Sequence, residues 1–95
     1  MNCIVCKADL GRKPRAAIAV LVAGDERIHS WFWCNRCRVY TCEHFHDRFL
    51  GESDAHAVGP IDAAEGNRIV ALIAKCPDPS NKFCSCASHE ALLHP

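Results

Sequence analysis

Long apolar runs are missing from this chain. The longest, Ala16 to Ala23, is far short of the roughly 20 residues that a membrane-spanning helix needs, so no transmembrane helix and no membrane partner are expected. No basic stretch followed by a long apolar run opens the sequence, and Met1-Asn2-Cys3-Ile4-Val5-Cys6-Lys7 does not read as a secretory signal. Charge of one sign is missing too. Eleven basic and eleven acidic residues leave a formal net charge of zero, which argues against a strong nucleic-acid binder in bulk. Paired carboxylates, a nucleophile with its base and a glycine-rich phosphate loop are all lacking. No catalytic residue is named on these grounds, and a non-enzyme is expected.

What the chain has in abundance is cysteine, eight in 95 residues. A single domain of this length, 1–95, buries a smaller share of its surface than a larger one, so a staple helps its core. The staple is disulfide or metal, and compartment decides. Without a secretory signal the setting is read as cytoplasmic and reducing, and the cysteines as metal ligands. The alternative is a disulfide framework in a secreted form.

The spacing of the cysteines divides them into two sets. Cys3-x-x-Cys6 and Cys34-x-x-Cys37 stand 27 residues apart. A tight Cys-x-x-Cys turn aims two sulfurs at one point, and two such knuckles complete a closed Cys₄ zinc site with no position left for water. A redox Cys-x-x-Cys of thioredoxin type needs a helix after the pair, and neither pair has one. The common iron–sulfur signatures bring three cysteines closer together than this. Cys76, Cys84, Cys86 and His89, separated by seven, one and two residues, form a second, Cys₃His set. Two zinc ions per chain are therefore expected, with Cys42 the spare thiol.

Between the knuckles, Ala16 to Val22 reads as a strand with no polar face, hence central or covered. Gly24 marks a hairpin turn. Residues 27–33 return, and Arg38 to about Phe49 form a third strand whose alternation is read as placing Phe45 and Phe49 in the core, with Tyr40, Cys42, His44 and His46 on the other face. Residues 50–59, rich in Gly, Ser and Asp, read as a loop. Asp62 with Glu65 is a capping box, and Ile69, Leu72, Ile73 and Cys76 form a helical stripe that Pro77 ends, giving a helix over 63–75. The expected fold is α+β, a small metal-bound domain of ribbon and sheet (1–49), helix (60–76) and second knuckle (76–89), with a three-stranded antiparallel meander and one packed helix.

Over Cys3 to Cys37 the chain resembles zinc-ribbon proteins. Its string Cys76-Pro77-Asp78-Pro79-x-x-Lys82-x-Cys84-x-Cys86-x-x-His89 resembles that of small uncharacterised bacterial proteins with a second zinc knuckle. The ribbon likeness implies a binding module for protein or nucleic acid and implies no activity. A structural zinc module with a protein partner is the first expectation, nucleic acid the second, and the oligomeric state is left open. The basic residues bear on the second. Residues 1–42 hold seven Lys/Arg against three acids, net +4, and Arg12, Lys13, Arg15, Arg36 and Arg38 near the first knuckle could meet phosphate beside Trp31 or Trp33. From a different class comes a metal-dependent hydrolase or metal sensor using His44 and His46 with Cys42 or His56. Against it, Cys42 and His46 lie about 13 Å apart along a strand. His29 and His94 carry no pattern.

Overall fold

In the computed structural model, which describes residues 1–47, 51, 53–84 and 86–93, the strands β1 (Ala16–Val22), β2 (Asp25–Cys34), β3 (Val39–Asp47) and β4 (Asp54–Asp62) precede the helices α1 (Ala63–Ala74) and α2 (Ala87–Leu93). The strands pair in chain order as an antiparallel meander, β1-β2-β3-β4. Each turn follows from local chemistry. Ala23 and Gly24, both at positive φ (53° and 87°), make the two-residue turn between β1 and β2, a backbone twist that matches the strands it joins. The second knuckle joins β2 to β3, with Cys34 and Val39 as the closing pair.

The fourth strand corrects the loop expected over 50–59. Eight of its nine positions, all but Ile61, are solvent-exposed, so no burial period is written into the sequence. Backbone pairing to β3 holds it instead. Gly59 and Pro60 both stand opposite Thr41, a bulge on the sheet edge, where a residue without an N–H is tolerated. Gly59 lies at φ 142°, and a Cβ there would meet the Tyr40 carbonyl oxygen at 3.1 Å.

α1 forms close to where its signals put it. Asp62 accepts a hydrogen bond from the Glu65 N–H at 2.8 Å, while the Glu65 carboxylate turns to Arg68. Lys75 N–H to Leu72 O and Cys76 N–H to Ile73 O tighten the last turn ahead of Pro77. The core is Ile18, Val20, Trp31, Tyr40, Cys42 and Ile73, flanked by Ala16, Val22, Trp33, Ile61, Ile69 and Val70. That is the sheet face carrying Tyr40 and Cys42. The expectation that Phe45 faces this core is corrected: it is half-buried on the opposite face, and Phe49 lies outside the described residues. Alternation assigns residues to faces without saying which face a helix will cover. Here Gly66 decides it, since it rests on the Tyr40 ring with no room for a Cβ. The opposite face buries Ala19, Phe32 and Thr41, and the N-terminal segment reaches it through the Ile4 N–H donating to Thr41 Oγ1 at 3.0 Å. β1 is an edge strand, and it is covered rather than central.

Candidate metal centres

The first centre is built from two matching turns. In each, the residue after the second cysteine donates its N–H back to the carbonyl of the first: Lys7 to Cys3 O at 3.0 Å, Arg38 to Cys34 O at 2.8 Å. Both residues sit at positive φ (65° and 57°), which lets the chain curl around the sulfurs. Val5 N–H and Cys37 N–H point at Cys3 Sγ and Cys34 Sγ, each at 3.4 Å. Such donors stabilise thiolate. The backbone N–H groups of Cys6 and Val5 bring Cys3 down to about 6 although burial opposes them. Contact with the Cys6 thiol, then burial, pushes Cys37 up to about 12. Four sulfurs this close shed their protons as one coupled set.

The second centre is assembled from separate elements. Cys76 follows the end of α1, Cys84 and Cys86 close the loop after it, and His89 lies in the first turn of α2. His89 Nδ1 is 3.1 Å from Cys76 Sγ and 3.4 Å from Cys86 Sγ, while its Nε2–H donates to Ala19 O at 3.0 Å. Both ring nitrogens are thus engaged, one toward the cluster and one toward β1. An outer-shell bond of this kind orients the ring and sets its tautomer. Ala19 N–H in turn donates to Pro79 O at 2.8 Å, so the loop between Cys76 and Cys84 lies along the β1 edge. The His89 backbone and ring lower Cys86 to about 6, whereas burial raises Cys76 to about 11.

The eight sequence-predicted residues thus form two groups of four, and within each group the ligand atoms all lie within 4.8 Å of one another. Geometry matches a single ion in each. A tetrahedral centre with sulfur at about 2.3 Å has S···S edges of about 3.8 Å. Cys6 and Cys34 sulfurs are 3.8 Å apart, as are those of Cys76 and Cys84. A multi-iron cluster would spread the thiolates wider. Soft sulfur donors with one imidazole suit zinc, copper(I) or iron over magnesium or calcium.

The structure does not assemble the third set considered from sequence. Cys42 is 1 % exposed, its thiol is directed at Glu43 O, and burial pushes it up to about 12. His46 Nε2 is 2.9 Å from Asp25 Oδ2. His44 instead stacks on His29, with centroids 4.2 Å apart, and meets the His56 ring at 5.4 Å. His29 was missed, although the signal was there: it lies five residues before Cys34, and His44 five after Val39, so the knuckle turn sets them opposite. Of the basic residues, Arg15 is engaged. Its guanidinium lies 4.9 Å from the Trp33 centroid and donates to Tyr40 Oη at 3.1 Å. No protein-family profile, curated protein or solved structure matches this chain.

Proposed function

We propose that this protein is a non-enzymatic interaction module of the cytoplasm, held by two structural zinc ions and presenting its surface to another protein. The observation that carries the reading is closure. Each cluster offers four donors, enough to fill a tetrahedron and leave no position for water or substrate. Cys₄ and Cys₃His are also donor sets typical of structural zinc. An exposed apolar side chain sits beside each cluster: Val5, 53 % exposed between Cys3 and Cys6, and Phe83, 70 % exposed just before Cys84. A loop pinned by metal holds such a side chain with little entropy left to lose on binding. Nucleic acid stays second, because Arg15 is committed to Trp33 and Tyr40. The hydrolase alternative is weakened by the engagement of Cys42 and His46 elsewhere.

Elemental analysis of protein prepared without added metal tests the zinc assignment. Two zinc ions per chain are expected, and circular dichroism should lose its ordered signal once a strong chelator has removed them. One ion, or an unchanged spectrum after full removal, overturns it. The interaction half is tested with a Val5→Ser/Phe83→Ser double variant in affinity capture. Partners lost while fold and metal are kept support it; an identical set of captured proteins overturns it.

A further inference from the structure

Across the sheet face that carries the core runs one cross-strand row: Ile18, His29, His44 and His56, on β1, β2, β3 and β4 in turn. Exposure rises along it, from buried Ile18 through half-buried His29 and His44 to exposed His56. Three imidazoles on three adjacent strands are therefore neighbours on one surface. Among the described residues, none of their six ring nitrogens has a hydrogen-bond partner, in contrast to His46 with Asp25 and His89 with Ala19.

We propose that His29, His44 and His56 form a third, open metal site, one that takes an exchangeable divalent transition ion such as nickel, copper or zinc. Neighbours in such a row have Cβ atoms roughly 4.5 to 5.5 Å apart, and a metal–imidazole bond is about 2.0 to 2.1 Å. Adjacent rings therefore reach one ion by turning about their own side-chain torsions, a fast motion for half-exposed residues. Two of the rings, His29 and His44, are also biased toward the neutral form. Burial first, then His44, Arg27 and His56, lowers His29 to about 4, and burial with His56 and Arg27 lowers His44. Neutral imidazole is the form that binds metal.

The class of ion follows from the surroundings. Arg27 is near enough to act on both rings, so a hard cation held by charge alone is disfavoured. An ion bound through nitrogen lone pairs is favoured, and imidazole suits nickel, copper and zinc. Three protein ligands leave a coordination position free, unlike either thiolate cluster. The inference does not depend on the resident ions being zinc or on a protein partner.

Nickel(II) chloride, titrated into the protein carrying its own metals, is the probe. Calorimetry should report one nickel ion per chain, with no resident metal released. Paramagnetic broadening in histidine-selective NMR should centre on His29, His44 and His56. His44→Ala should weaken binding by more than about tenfold, the scale that loss of even an outer-shell partner reaches. His56→Ala alters an exposed position, so its fold should be retained; it should weaken binding less, and His46→Ala should leave it unchanged. Nickel uptake that displaces the resident ions, or that His44→Ala and His56→Ala leave untouched, overturns the proposal.

Discussion

The two thiolate clusters hold similar donors by different means. The first is local and nearly symmetric: two knuckles, each bonded back on itself, one of which is the turn between β2 and β3. The second is composite, joining the end of α1, a loop and the start of α2, and it touches the sheet through His89 Nε2 and Ala19 O. A cluster inside a hairpin determines whether the hairpin closes. A cluster laid along a strand edge determines whether that edge is covered. Loss of the first should therefore be global, and loss of the second regional.

The largest expected effect breaks the comparison at its first term. Cys34→Ser removes a ligand that also ends β2, and structural zinc contributes roughly 10 to 16 kcal/mol of apparent binding free energy in finger peptides, comparable to a domain's whole stability. The variant should lose cooperative thermal unfolding altogether; a protein that loses one ion yet melts as the wild type does would show the hairpin closing without metal. Next in size, Gly66→Ala forces a methyl against the Tyr40 ring and should destabilise by about 1 to 3 kcal/mol. Because Cys76 follows directly from α1, chelator competition should show the second cluster weakened and the first unaffected.

His89→Cys is a sharper test, since it keeps four donors but removes the bond to Ala19 O. Both ions should remain bound, stability should fall by about 1 kcal/mol, and amide exchange should speed up along β1 while the β2–β3 amides stay protected. Uniform exchange across the sheet would mean the second cluster does not act through the edge. The smallest effect belongs to a site remote from both clusters. Ala23 holds φ 53°, a conformation that strains an alanine by roughly 1 to 2 kcal/mol, and Ala23→Gly relieves it at some cost in unfolded-chain entropy. The melting temperature should rise slightly, with metal content unchanged.

How much could be read ahead depended on the kind of signal. Both candidate ligand sets were legible because a metal site demands spacing: knuckle pairs at fixed intervals, and a Cys-x-Cys-x-x-His string after a helix ended by proline. α1 was legible from Asp62, Glu65 and the Ile69/Ile73 stripe, signals carried within a single turn or two. β4 was not, because an exposed edge strand is held by hydrogen bonds of the main chain, which have no residue code. The core face was misjudged because Tyr40 and Phe45 are both aromatic on alternate sides, and only the place where α1 lands distinguishes them.

The sequence by itself determined which residues can ligate metal, where the helix begins and ends, and where the chain must turn, since each depends on neighbours within a few positions. Tertiary structure alone decided the fourth strand, the face chosen for the core, the bond from His89 to β1, and the arrival of His56 beside the His29/His44 pair. Those depend on register between strands, and register brings together residues that no local spacing relates.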